Sequence, residues 1–403
     1  MVQPAPASQA EMRQRNLSRV LHTLAAEGAL SRAAVAARIG LTRAAVSTLV
    51  DELLRRGLVV ERGPGRSGAV GRPGTELLLA DRGPCGLGAE IGVDHLAVCV
   101  MDLRGQVRVR IDHESRNQAS DPAAVLAQVS GMLRRAADEA EAVGLRPAGL
   151  AVAVPGLVAR DTATVLRAPN LGWHGTDLAG LLPGDLGPVA VENEANLGAL
   201  AELWSGHHGR AADGGPDSFV HVSAEIGIGA ALVIDGELLR GAHGFAGELG
   251  HLPVHPLGRP CSCGGRGCLE AYAGAEAVLR AAGLEPGPGV RMGALTARCE
   301  AGEPTALRAV RQAGTALGIA LSGAVNLLDP RQVVIGGTLA RLAPWLLPPV
   351  GRELTRRTSV AAGGRSTPVP VTASPLGPDG PLLGAARSAV RTALDTPSTL
   401  GPR

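Results

Sequence analysis

From His251 to Glu270 the chain reads HLPVHPLGRPCSCGGRGCLE, which places Cys261, Cys263 and Cys268 within eight residues and the first of them ten residues after His251. Three thiolates and one imidazole make a closed tetrahedral donor set, the chemistry of structural zinc, with no open position for a catalytic water. Two other readings compete. A disulfide is disfavoured in a reducing interior, and a catalytic thiol needs one activated cysteine, not three in a cluster. Cys85, Cys99 and Cys299 lie in apolar or helical contexts and read as core residues.

Positioning such a cluster takes a sizeable scaffold. At 403 residues the chain is too long for one core and implies two or three domains, with enough apolar surface to fold without help from a metal or a disulfide. Hydrophobic residues make up 45% of the chain and mean hydropathy is +0.15, yet the apolar runs are short and interrupted, so no segment is expected to span a bilayer. The opening MVQPAPASQAEMRQRN has no apolar stretch suited to secretion, so a soluble, cytoplasmic protein without a membrane partner is expected. All 39 basic residues are arginine, which excludes any mechanism requiring lysine. Residues 1–82 hold 12 Arg against 7 Asp plus Glu, a balance of +5, while the remainder holds 27 against 30, or −3. A basic unit on an acidic body points to nucleic-acid contact at one end.

Within that basic unit, Leu17, Val20, Leu21 and Leu24 form one helical face ending near Gly28. A second helix is expected between an N-cap at Ser31 and a stop at Gly40, and a third from Thr42 to Gly57 with Val46, Leu49, Val50, Leu53 and Leu54 as its buried stripe. Two strands around a loop rich in Gly, Pro and Arg follow, completing a winged helix-turn-helix over residues 1–82. Arg43, Ala44, Ser47 and Thr48 stand near the start of the third helix, where recognition helices meet base edges; Arg62, Arg66 and Arg72 fall on the wing as phosphate or minor-groove contacts. A trihelical module that binds protein instead of DNA is the competing reading.

From residue 83 to the end, strands alternate with helices. A strand pair with its turn at Asp102–Gly105, a buried strand in GLAVAVPGLVA, a strand entering a helix in VAVENEANLGAL, a hairpin in SFVHVSAEIGIGAALVIDGELL, a helix over 306–328, the strand RQVVIGG and a helix over 382–392 make two α/β units. The winged helix followed by AEIGVDHLAV, VPGLV, VENEAN, GAHGFAGELGH, CSCGGRGCLE and DPRQVVIGG resembles the ROK family of repressors, open reading frames and kinases over essentially the whole chain. The resemblance implies an α/β body of two lobes, actin-like and hexokinase-like, with a sugar bound between them and the terminal helix packed back on the first lobe.

The resemblance further implies roles. A histidine and three cysteines at these intervals hold the family's zinc, and Glu248, His251 and Glu270 match its sugar contacts. Two carboxylates fixed by one metal suit vicinal hydroxyls, which demand precise placement. Asn193 and Glu194 match the pair that grips the sugar and deprotonates its hydroxyl, Gly156 matches a backbone contact, and Asn170 is a weaker addition. The family's kinases carry DxGGTK in their first phosphate loop, where this chain has Glu90, Ile91, Gly92, Val93, Asp94 and His95; Asp94 is expected to repel a triphosphate. In the second loop, Glu225 and Ile226 replace a glycine and a threonine, while Gly336 and Gly337 of the third element are kept. With a damaged nucleotide site and an attached winged helix, the expected function is a sugar-responsive regulator, a repressor of carbohydrate genes that acts without catalysis. Its partners are operator DNA, a sugar or sugar phosphate and at least one further copy of itself. A sugar kinase that also binds DNA is the alternative.

Overall fold

The computed structural model describes residues 8–64, 75–160, 162–205, 218–224, 226–285, 291–358 and 369–400. Helix α1 (Gln9–Glu27) opens with a capping box, the Ser8 hydroxyl accepting from the Glu11 amide while the Glu11 carboxylate accepts from the Ser8 amide. After the short β1 (Leu30–Ser31), Ser31 caps α2 (Arg32–Ile39), which Gly40 closes in the left-handed conformation at φ 67°. Thr42 caps α3 (Arg43–Arg55), and α2 and α3 meet at 113°, the geometry of a helix-turn-helix. Strands β2 (Val59–Pro64) and β3 (Thr75–Leu79) pair antiparallel, with β1 on the free side of β3. In α3 the buried stripe departs from expectation. Leu54 is only half-buried, and Glu52 is buried instead because Arg13 and Arg56 both pair with its carboxylate.

Two five-stranded sheets follow, and their strand orders repeat. The first is built from β4 (Gly83–Ile91), β5 (His95–Asp102), β6 (Val107–Glu114), β7 (Leu145–Val154) and β11 (Val189–Asn193) in the order β11-β7-β4-β5-β6. Helix α4 (Pro122–Ala142) covers one face, and the ribbon β8 (Leu157–Val158), β9 (Thr164–Ala168) and β10 (Trp173–Asp177) projects from it. The second sheet contains β12 (Phe219–Ala224), β13 (Ile228–Ile234), β14 (Glu237–Leu239), β15 (Gln332–Ile335) and β16 (Val371–Ala373) in the order β14-β13-β12-β15-β16. Each sheet pairs its first three strands antiparallel and its last two parallel, so two lobes of one topology face each other.

Helix α5 (Glu194–Ser205) runs from the first sheet to touch β12 and β13 of the second. The second lobe's core is filled by α6 (Glu270–Ala273), α7 (Ala275–Ala281), α8 (Arg291–Glu300), α9 (Pro304–Leu328) and α10 (Ala343–Arg357). The last helix, α11 (Gly380–Asp395), returns to the first lobe and lies on β4, β5, β7 and α5. There Gly384 is indispensable, since a Cβ would stand 2.0 Å from the Leu197 carbonyl oxygen of α5. Among the described residues, no single helix is long and apolar enough to cross a membrane.

Several elements differ from expectation. The segment expected as one strand pair holds three strands, because Gly92–Asp94 turns the chain a first time before Asp102–Gly105 turns it again. The second hairpin likewise gains β14, and β9, β10 and α10 have no counterpart in the sequence reading. The winged helix also shares its core. Leu17, Leu21, Val50 and Leu77 cluster with Ala97, Cys99 and Met101 of β5 and with Leu382, Ala386 and Val390 of α11.

Candidate functional site

The cleft between the lobes encloses about 360 Å3 and is lined by Gly156, Asn170, Asn193, Glu194, Glu248, His251 and Glu270, so these seven residues from five separate stretches share one wall system. Arg167 and Phe245 also line it. Neither was picked out from the sequence; Phe245, one of only two phenylalanines and set in GAHGFAGELGH, carried a faint signal, and Arg167 carried none.

Local structure fixes each side chain. Asn193 ends β11 and caps α5: its Oδ1 accepts from the amides of Ala195 at 2.8 Å and Asn196 at 3.3 Å, while its Nδ2 donates to the Gly156 carbonyl at 2.8 Å. Both lone pairs are therefore occupied and one N–H remains for a ligand. Gly156 adopts φ 148°, and a Cβ there would stand 2.5 Å from the Arg167 carbonyl oxygen, so the turn admits only glycine. Beside it, Glu192 accepts from Asn196 at 2.8 Å and from Arg240 at 2.9 Å, tying the first lobe to the end of β14 in the second. Glu270 opens α6 and accepts from the Ile228 amide at 3.1 Å, a fit that depends on Gly227, where a Cβ would meet its Oε2 at 2.5 Å.

Burial dominates the ionisation of Glu194 and Glu248. Glu194 is partly accessible from the cleft, but its carboxyl is wrapped by protein; burial first, and the neighbouring Glu90 second, raise its pKa to about 7 against the opposing pull of His95. Burial also raises Glu248, assisted by Glu270 and opposed by His251. Burial would lower the His95 imidazole, yet the carboxylates of Asp94 and Glu90 outweigh it and hold its pKa at about 11, so the ring is cationic at neutral pH.

The His95 ring is held within the first loop. His95 Nδ1 lies 3.0 Å from Asp94 and Nε2 lies 3.5 Å from the buried Glu90, with the ring packed against Gly92. The Gly92 amide donates to the His95 carbonyl at 3.0 Å, and Asn117 donates through Nδ2 to the carbonyls of Gly92 and His95 at 2.7 and 3.1 Å. Asp94 is thus not the bare negative charge expected from the sequence; it is half of an ion pair within the loop. In the second loop Glu225 lies outside the described residues, and Ile226 sits beside Gly227 on the cleft's far side.

Next to the cleft, His251, Cys261, Cys263 and Cys268 bring one donor atom each within 4.8 Å of one another, a group able to hold a metal ion. His251 turns Nδ1 toward the Cys261 sulfur at 3.9 Å and Nε2 toward Glu248 at 3.6 Å. The loop is held by Cys261 and Gly267 amides bonding to the Gly265 and Arg259 carbonyls.

On the winged helix, Arg43, Ala44 and Thr48 are exposed and Ser47 is half-buried, all on the outer side of α3. Arg62 is exposed at a bulge in β2. Arg66 and Arg72 lie outside the described residues. The unit is anchored to the body through Arg56, whose guanidinium holds Glu52 at 2.8 Å and donates to the carbonyls of Pro397, Ser398 and Leu400 at 3.2–3.3 Å. His22 and Asp395 add a contact of 2.6 Å between α1 and the end of α11.

Comparison with known proteins gives these features a context. The ROK family model matches residues 86–391, and the MarR family model matches residues 14–68. The xylose repressor of Caldicellulosiruptor bescii is 29% identical over 364 residues, covering 87% of this chain and 90% of that protein. A crystal structure of a ROK family transcriptional regulator, described as a homolog of the E. coli MLC protein, superposes with a TM-score of 0.77 at 25% identity, covering 96% of this chain and 99% of that one. The ROK glucokinase of Streptomyces griseus, solved with glucose and AMPPNP, gives 0.64 at 27% identity, covering 75% of this chain and 98% of that one.

Proposed function

Because the chain belongs to the ROK family and carries a MarR-type winged helix ahead of the ROK body, we propose that it is a transcriptional repressor that holds operator DNA through the winged helix and releases it when an aldose fills the cleft between the lobes. One observation carries this reading: the cleft keeps a full set of hydroxyl-binding groups, while the adjoining phosphate loop is folded onto its own His95. A phosphate-cradling loop needs free backbone amides. Here the Gly92 amide is taken by the His95 carbonyl, and the loop sets two carboxylates, Glu90 and Asp94, against the single His95 ring, an excess of negative charge that repels a phosphate.

In this reading Glu248 and Glu270 accept from vicinal hydroxyls, Asn193 donates its remaining N–H, and Glu194 accepts from the hydroxyl nearest the first lobe. Zinc suits the four-donor group. Zinc–sulfur bonds of about 2.3 Å at tetrahedral angles separate two sulfurs by about 3.8 Å, and Cys263 and Cys268 Sγ atoms stand 3.8 Å apart. Bound there, zinc supplies a rigid cross-link and no chemistry. Holding His251 by Nδ1 leaves Nε2 to orient Glu248, the arrangement in which a ligand's second nitrogen fixes its neighbour.

Ligand binding reaches the DNA-binding unit through packed helices. Glu194 begins α5, α5 lies backbone to backbone against α11, and the end of α11 and its tail grip α1 and α3 through Asp395 and Arg56. Closure of the lobes on a sugar therefore moves α11 and the winged helix together, and two copies paired on an operator lose their matched spacing. The ligand accomplishes this only to the extent that it binds the closed state more tightly.

The kinase reading draws support from Glu194, whose pKa of about 7 suits a general base. Incubation with ATP and D-glucose or D-xylose separates the two, because turnover above about one per second would place the chain among ordinary enzymes and overturn the repressor reading. The positive test is fluorescence anisotropy with DNA from the gene's own promoter. Retention is expected to fall steeply with salt and to be reversed by D-xylose or D-glucose; retention indifferent to both overturns the proposal.

A further inference from the structure

Beyond Glu270 the cleft adjoins a second cavity of about 710 Å3, against about 360 Å3 for the cleft itself. Asn170, Gly227, Ser262 and Glu270 belong to both, so the two are neighbouring chambers with a common wall. The outer chamber is bounded by Glu276, Ala277 and Arg280 of α7, by Arg259 of the cysteine loop and by Val93 and Gln118 of the first lobe.

The charges in this chamber balance. Arg280 pairs with Glu276 at 2.5 Å; the Arg259 guanidinium stacks 4.8 Å over the Tyr272 ring and donates to the Ala271 carbonyl at 3.1 Å; Glu270 accepts from Ile228. Two cations and two carboxylates, each already partnered in the wall, leave no surplus positive charge for a phosphate. They still present N–H groups and oxygen lone pairs, and Gln118 and Asn170 add amides that both donate and accept. A neutral ligand dense in hydroxyls matches such a wall. A nucleotide does not, since the adjoining first loop has its Gly92 amide occupied and sets two carboxylates, Glu90 and Asp94, against the single His95 ring.

We propose that the outer chamber binds a second sugar unit, so that the ligand is a disaccharide or longer glycoside whose terminal residue occupies the cleft and whose next residue passes Glu270 into the chamber. The inference rests on the sugar-binding reading of the cleft and extends it to the size class of the ligand.

The test is calorimetric titration of the full chain with D-xylose and xylobiose, and with D-glucose, cellobiose and maltose. At least one disaccharide is expected to bind about tenfold or more tightly than its monosaccharide, the worth of one or two added hydrogen bonds. Ala277→Trp, which fills the chamber from α7, is expected to erase that advantage while leaving monosaccharide affinity unchanged. Arg280→Ala, at the exposed rim, is expected to cut it severalfold and carries the test should the tryptophan variant fail to fold. Monosaccharides that bind and release DNA while no disaccharide exceeds them overturn this inference and leave the repressor reading standing. An equal loss of both sugar classes in Ala277→Trp also overturns it. Failure of every sugar to bind overturns both.

Discussion

Gly227→Ala isolates the role of Glu270 without touching its charge. A Cβ at this position would stand 2.5 Å from Glu270 Oε2 and 3.4 Å from its carboxyl carbon. Ordinary contact begins near 3.4 Å, so the oxygen must retreat by about 0.9 Å. Since the obstructing atom is the free end of a flexible side chain, the backbone stays in place and the fold loses about the worth of one hydrogen bond to a carboxylate, about 1.5–3 kcal/mol. The retreat breaks the 3.1 Å bond from the Ile228 amide and turns the carboxylate away from the cleft. Losing one hydrogen bond to a charged group costs about 1.5–3 kcal/mol, which is about 10- to 150-fold in dissociation constant. Titration with D-xylose and D-glucose reads that loss, while metal analysis and thermal unfolding report on the neighbouring cysteine loop and the fold. A dissociation constant within about twofold of the parent's, with unchanged sugar release of DNA, would show that Glu270 does not hold the ligand.

Three further perturbations address separate parts of the molecule. Cys263→Ser removes one of the four clustered donors and should lose most bound zinc; one zinc retained per chain by elemental analysis would refute the donor set. Glu194→Gln tests ionisation. The Glu194 pKa rises from the usual 4.5 to about 7 on folding, so its protonated form favours the native state below 4.5 and that contribution disappears as pH climbs to 7. The variant should therefore gain stability relative to the parent between pH 5 and 8 in urea titrations, and a constant difference would contradict the burial argument. Arg56→Ala leaves Glu52 with Arg13 alone and frees the C-terminal carbonyls, so a loss of about 1–3 kcal/mol is expected together with weaker coupling of sugar binding to DNA release. Unchanged coupling by anisotropy would show that the tail plays no part in transmission.

What the sequence revealed follows the range of the forces involved. The caps at Ser31, Gly40 and Thr42 act within a few residues and were readable at once. The four donors of the cysteine loop lie within one short stretch, so their spacing nearly dictates their geometry. Helix α10 was hidden because Pro348 and Pro349 interrupt the pattern of a helix. It exists because Leu346, Val350 and Leu354 pack into the second core, where Gly314 and Gly318 of α9 let the two backbones approach closely. The His95 ion pairs are hidden in the sequence for a related reason: Glu90 and His95 are five residues apart, and only the turn at Gly92–Asp94 brings them face to face. The burial of Glu52 depended on Arg13, far away in sequence.

The core shared by winged helix and body bears on how this architecture can be rearranged. A chain cut at Ala80–Arg82 looks like two modules, but the cut would part α1 from α11, whose Leu382, Ala386 and Val390 share one core with Leu17, Leu21 and Val50 on one side and with Ala97, Cys99 and Met101 of β5 on the other. Neither fragment inherits a finished surface. Grafting this reader onto another sensor would have to carry the outer face of β5 and the whole of α11 with it. The unit of exchange is therefore discontinuous in sequence, drawn from α1 to β3 at one end and from α11 at the other, with the sensor threaded between.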